Sequence, residues 1–378
     1  MYITTYKTVT PRIQYLSYRE LMEMPTAYDV EPTPVSYYKT TAKIEQPTPF
    51  DQLPYNMADQ IADTVIALEL AERILRPFAE NYEEQYYEFR IPKRSGGLRT
   101  INAPNTAFKQ ALTEVKDLFE NKIKCLPHDC AYAYVKNRST VHALEKHQLN
   151  NSNWYLKLDL QDFFPNCTPE IIYDRLMQLF PFYYLGNESR ARLRHIIQIC
   201  CLHNGLPQGT PMSPLLTNLV MVSYDHEIYH KLIRRNGQHF VYTRYADDIL
   251  ISSQTHFDWQ TLQTELAEIL QPFRIKTQKT RYGSKAGQNW NLGLMLNKDN
   301  KITLGHRKIK LLNAMINNFL KDFSNGIRWS RDDTYTLQGQ VGYWQYIDEQ
   351  YCAHIIEKYE RKYNQNYKQA IKAIINNN

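Results

Sequence analysis

The chain has 378 residues, of which 43% are hydrophobic and 22% charged, enough to bury a sizeable core and ordinary for a folded globular protein. No apolar run approaches the ~18 residues of a membrane-spanning helix, and the start Met1-Tyr2-Ile3-Thr4-Thr5-Tyr6-Lys7 lacks a basic-then-apolar leader pattern, so a cytoplasmic protein is expected. The net charge of +6 is unevenly placed: residues 273–378 hold 18 Lys and Arg against 8 Asp and Glu, a balance that suits contact with a polyanion.

Residues 1–56 are rich in Tyr, Thr and Pro. Their seven prolines forbid a long helix, and their tyrosines predict an arm that packs on the body or a partner. From Met57, Ile61, Val65, Leu68 and Leu75 share a helical face that ends near Pro77. The run Tyr87–Asn102 reads as a hairpin with a Ser95-Gly96-Gly97 turn and Lys93, Arg94 and Arg99 near its tip. A second amphipathic helix carries Phe108, Leu112, Val115 and Leu118. Six cysteines (Cys125, Cys130, Cys167, Cys200, Cys201 and Cys352) form no C-x-x-C knuckle and pair with no spaced His couple, so buried thiols are expected rather than zinc ligands.

Trp154–Leu160 alternates, which sets Leu156, Leu158 and Leu160 toward a core and Lys157 and Asp159 on the opposite face. Helices are expected near 170–180, 189–203 and 215–231. Phe240–Ser253 reads as apolar strand, acidic tip, apolar strand, with Asp247 and Asp248 adjacent at the tip. A helix near 259–271, a strand pair near 274–285 and 289–296, and a helical, basic last hundred residues complete the reading.

Adjacent carboxylates repel, and a divalent cation is the usual remedy. Strands that bring Asp159 beside Asp247 and Asp248 give an oxygen-only environment suited to two Mg²⁺ ions, with Mn²⁺ as a substitute. Phosphoryl transfer there further needs cations on the triphosphate, for which Lys93 and Arg99 are candidates, and a proton donor to the leaving group, for which Lys279 is one.

These residues resemble the reverse transcriptases. Tyr245-Ala246-Asp247-Asp248 matches that family's catalytic hairpin, and Asp159-Leu160-Gln161-Asp162-Phe163-Phe164 is similar to its first metal-binding strand. Gln208–Pro214 resembles the loop supporting the templating pair, Ile91–Arg99 the fingers hairpin, and Leu292–Leu296 the primer grip. The resemblance implies an α+β right-hand polymerase: fingers over 57–150 with parts of 165–205, a palm over 151–300 with a small antiparallel sheet, and a helical basic thumb over 301–378. It implies that Asp159, Asp247 and Asp248 are metal ligands, that Phe164 excludes a 2′-hydroxyl, and that Gln208 and Gly209 approach nucleotide and template. Asp162 is read as a helix cap outside the metal site.

Tyr134–Leu144 resembles the bacterial group that includes retron and group II intron enzymes, and Leu337–Ile347 is similar to retron thumbs. Asn291-Leu292-Gly293 departs from the retron Val-Thr-Gly. The expectation is an RNA-directed DNA polymerase of retron-like or phage-defence kind, with RNA template, nascent DNA and dNTPs as partners. A structured non-coding RNA, an effector or second polymerase subunit, and a homo-oligomer are further partner expectations. The alternatives left open are an untemplated or protein-primed polymerase of the same fold and a catalytically silent RNA-binding relative.

Overall fold

A computed structural model describes residues 55–92, 96–235, 239–284 and 293–376; the expected arm and Lys93 therefore lie outside the described residues, except Tyr55 and Asn56. Helix α1 (Tyr55–Leu75) precedes a hairpin of β1 (Tyr86–Pro92) and β2 (Leu98–Pro104), then helices α2 (Thr106–Leu118) and α3 (Thr140–Leu149). Strand β3 (Trp154–Asp159) is followed by helices α4 (Pro169–Leu176), α5 (Asn187–Cys200) and α6 (Met212–Ile233). Next come strands β4 (Phe240–Tyr245) and β5 (Asp248–Ser253), helix α7 (Trp259–Ile269), and strands β6 (Arg281–Ser284), β7 (Leu294–Leu296) and β8 (Ile302–Leu304). The last four elements are helices: α8 (His306–Ser324), α9 (Arg331–Ile347), α10 (Glu349–Tyr363) and α11 (Tyr367–Ile375). The fold class is α+β, as expected.

The chain forms two compact units, one from Met1–Lys136, Asp159–Asn236 and Gln260–Lys276, the other from Asn137–Leu158, Gly237–Trp259 and Thr277–Asn378. In the first, α1 packs on α5 and α2, and Leu68, Leu75, Phe108, Leu112, Val115 and Phe119 are fully buried. The helices start where capping chemistry lets them. Asn105 accepts from the Phe108 N–H at 2.9 Å to open α2, and Thr168 accepts from the Ile171 N–H with Pro169 at the first helical position of α4. Asp162 caps no helix; its φ of 44° places it in a left-handed turn, and Thr168 caps α4 instead. The β1–β2 hairpin pairs Tyr86 with Pro104 through to Pro92 with Leu98, and Gly96 and Gly97 near its turn have φ of 87° and 81°, open to glycine at no steric cost.

The second unit is built on a four-stranded sheet in the order β4-β5-β3-β6, with β4–β5 and β3–β6 antiparallel. Leu156 and Leu158 are fully buried, as the alternation predicts. Strands lie within both expected ranges, 274–285 and 289–296, but among the described residues they pair with other strands rather than with each other. Arg281–Ser284 pairs with β3, and β7 pairs with β8, Leu294 opposite Leu304. A turn joins β7 to β8: the Asn297 side chain accepts from the N–H groups of Asp299 and Lys301, both at 2.9 Å, and Asn300 adopts φ 59°.

Helices α8–α11 bury Leu312, Ile316, Phe319, Leu337, Val341 and Trp344 in one cluster that also takes in Tyr155 of β3 and Leu250 of β5. Trp344 is fully buried, and its indole N–H has no hydrogen-bond partner. Trp344→Ala is expected to cost about 3–5 kcal/mol of stability by leaving a cavity, while Trp344→Phe, which also removes an unpaired donor, costs less than half of that. Urea unfolding of the two variants checks it; equal losses would contradict the packing account.

Candidate active site

Tyr245 pairs with Asp248 to close the β4–β5 hairpin, which leaves Ala246 and Asp247 as a two-residue loop. Ala246 has φ 56° and Asp247 does not share the positive sign, the pattern of a type II′ turn, in which the first position favours glycine. An alanine there costs about 1 kcal/mol and stays only if its surroundings hold it. Arg244, fully buried, does so by donating to the Ala246 carbonyl at 3.1 Å.

Below the loop, His147 of α3 is fully buried between the two strands. Its Nε2 meets Thr243 Oγ1 of β4 at 2.8 Å and its Nδ1 meets Ser252 Oγ of β5 at 2.5 Å. Ser252 donates onward to Ser152 at 2.7 Å, so the proton of the pair sits on Nδ1 and Thr243 donates to Nε2. Burial pushes the imidazole down to about 3, which keeps it neutral.

Each of two acids meets an ammonium. Lys157 Nζ lies 3.1 Å from Asp248 Oδ1 within the second unit, and Lys276 Nζ lies 2.7 Å from Asp159 Oδ1 within the first. Asp159 is 8% exposed and ends β3; its backbone carbonyl accepts from the Lys276 N–H at 2.8 Å. Lys157 was legible from strand alternation, which sets it on the face of Asp159. Nothing in the local pattern pointed to Lys276. Lys279, the expected proton donor, is exposed at the end of a short 3₁₀ turn (Thr277–Lys279).

In the first unit, Phe163 is the core ring, 3% exposed and 5.6 Å from Phe273, whereas Phe164 is half-buried and meets Tyr134 edge-on at 6.4 Å. The Phe164 carbonyl accepts from the Leu206 N–H at 3.1 Å. Beside it, a side chain at Gly205 would strike the Pro165 carbonyl oxygen at 2.3 Å, so only glycine lets the two turns meet. The Gln208 carbonyl accepts from the Asn102 N–H of β2 at 3.0 Å. Gly209, φ 124°, approaches so closely that an added Cβ would lie 3.0 Å from Ile101 and 3.1 Å from the Asn102 carbonyl. The hairpin bearing exposed Arg99 is thus fixed to the Gln208–Gly209 loop. Ahead of α6, Thr210 Oγ1 accepts from the Ser213 N–H at 3.2 Å, while Ser213 Oγ donates to the Pro207 carbonyl at 2.7 Å.

A family model described as reverse transcriptase (RNA-dependent DNA polymerase) matches residues 91–296. The chain belongs to the reverse transcriptase family. It is an RNA-directed DNA polymerase, a nucleotidyltransferase, by that membership. It is 32% identical over 289 residues to the retron Ec73 reverse transcriptase of Escherichia coli, covering 74% of this chain and 87% of that one. The retron Ec86 reverse transcriptase of Escherichia coli is 27% identical over 324 residues, 82% of this chain and 91% of that one. Among solved structures, apo telomerase from Candida Tropicalis covers 81% of this chain and 68% of that chain at a TM-score of 0.42 and 11% identity. The similarity to retron enzymes is the one the motifs implied, and the Asn291-Leu292-Gly293 departure does not remove it. Among the described residues of this reverse transcriptase, no helix is long and apolar enough to cross a membrane.

Because the folded pKa of His147 lies below its unfolded value of about 6.5, the unfolded chain binds a proton between about pH 6.5 and 3 that the folded chain refuses. Stability is therefore lost as pH falls through that window, by up to about 1.4 kcal/mol per pH unit from this group. Denaturant midpoints from pH 7 to 4 are expected to show a shallower acid limb in His147→Gln; an unchanged slope would contradict the neutral staple.

Proposed function

We propose that this reverse transcriptase copies a structured RNA into DNA through an acidic centre formed by Asp159, Asp247 and Asp248. The observation that carries the reading is the pairing of Lys157 with Asp248 on neighbouring strands, two residues before Asp159 on the same strand face. The donor set is carboxylate oxygen throughout, and Asp159 and Asp248 already take ammonium partners at 2.7 and 3.1 Å. Such a set fits hard cations, so these three residues would hold a pair of Mg²⁺ ions, which Mn²⁺ can replace. When bound, the ions supply charge neutralisation for an attacking 3′-hydroxyl and a departing pyrophosphate.

The protein's own groups then position the reactants. Phe164, held short of the core by Tyr134 and by its bond to Leu206, faces the sugar and rejects a 2′-hydroxyl sterically. Gln208 and Gly209 line the nucleotide and template, with the β1–β2 hairpin fixed against them so that Arg99 meets the triphosphate; Lys93 is assigned the same role from the sequence alone. Lys279 gives its proton to the leaving group. Residues 57–150 act as fingers, 151–300 as palm and 301–378 as a thumb whose basic character grips a duplex by its backbone. The similarity to retron enzymes supports a dedicated non-coding RNA as template, in a cytoplasmic retron-type or anti-phage system with an effector partner.

Asp247→Asn and Asp248→Asn are each expected to lower Mg²⁺-dependent dNTP incorporation on a primed RNA at least about 100-fold while leaving the circular dichroism unchanged. Undiminished extension in either variant would refute the assignment. Phe164→Ala is expected to narrow the preference for dNTP over NTP by about 10-fold or more, measured as the ratio of kcat/KM values; an unaltered ratio would remove Phe164 from the sugar site.

A further inference from the structure

The turn around His128–Cys130 and helix α6 bring together side chains that polymerase chemistry leaves unused. One donor atom each from His128, Cys130 and Asp225 lies within 4.8 Å of the other two. Cys130 is 6% exposed and Asp225 fully buried. Next to Asp225 on α6, His226 has both ring nitrogens buried and without a hydrogen-bond partner. Its ring centre lies 6.3 Å from that of His128. A buried imidazole with neither nitrogen paired is costly, and a ligand that engages one nitrogen relieves part of that cost.

The donor set decides the class of ligand. Magnesium and calcium take oxygen donors, whereas a thiolate with imidazoles and one carboxylate is the chemistry of zinc-class ions. We propose that His128, Cys130, Asp225 and His226 form a structural site for a zinc-class divalent ion that ties the His128–Cys130 turn to helix α6. Binding converts the Cys130 thiol to thiolate and releases its proton to solvent. His128 Nδ1 now accepts from the Cys130 N–H at 3.2 Å, and loading replaces or relaxes this contact as the ring turns to the ion. His226 stands beside the three gathered donors rather than among them; with its ring turned in as the fourth donor no position stays open, so the role is structural. The consequence reaches further along the chain: three residues past Cys130, the Ala133 carbonyl accepts from Asn218 of α6 at 2.9 Å, and the next residue is Tyr134, which rests on Phe164. The chain has no short Cys or His spacing of the kind that announces zinc, because here the donors come from two distant segments.

The test uses the full chain, expressed with added zinc and purified without chelator, for elemental analysis, and then stripped and titrated with Co²⁺ in the Asp248→Asn background to weaken binding at the acidic centre. Expected are about one zinc per chain and a near-ultraviolet thiolate-to-cobalt band. Cys130→Ser should abolish the band, and His226→Ala should weaken Co²⁺ affinity about 10- to 100-fold. Absence of the band in the unsubstituted site, or a band that survives Cys130→Ser, overturns the proposal. Should Cys130→Ser fail to fold by circular dichroism, the parent titration and His226→Ala still decide: no band, or unchanged affinity in His226→Ala, overturns it.

Discussion

A two-residue loop that carries one carboxylate and is followed at once by another is a concentration of like charge that a strand pair does not tolerate unaided. Asp247 sits in the loop and Asp248 opens β5, close enough for repulsion to splay the hairpin. The second unit is arranged to prevent this. Lys157 meets Asp248 from the neighbouring strand, Arg244 clamps the strained Ala246 carbonyl from inside, and neutral His147 joins the two strands beneath. Each of these is a buried or half-buried interaction, so water does little to screen it.

That arrangement separates rigidity from reactivity. The groups that fix the hairpin, His147 and Arg244, are fully buried, while the carboxylates they present remain partly accessible. The same division recurs in the first unit. Phe163 anchors its turn in the core, Gly205 permits a backbone approach that a side chain would block, Gly209 makes a close approach at φ 124°, and Phe164 and Arg99 are left outside the core. The side chains proposed for the site thus project from positions fixed by backbone contact rather than by their own packing.

Much of this was readable from the chain because strand alternation and adjacent acids are local signals. Leu156 and Leu158 went to the core and Lys157 to the face of Asp159 as period two requires. The helices of the last hundred residues followed their 3–4 spacing, Leu312, Ile316, Phe319 and Leu320 all being buried. What escaped was non-local or depended on turn chemistry. The Asn297 turn pairs β7 with β8, and Lys276 meets Asp159 through a pairing of Leu160 with Ile275 that no spacing announces. No local spacing marks His147, and only the fold gives it Thr243 and Ser252 as partners.

The proposed sharing of metal by Asp159, Asp247 and Asp248 is open to electron paramagnetic resonance of the Mn²⁺-loaded enzyme with a non-hydrolysable dNTP. Two ions held by a common set of carboxylates lie about 3.5–4 Å apart and couple magnetically. A coupled Mn²⁺ pair is expected in the parent enzyme and is lost in Asp159→Asn. A coupled pair that persists without the Asp159 carboxylate, or isolated ions only in the parent, would contradict it.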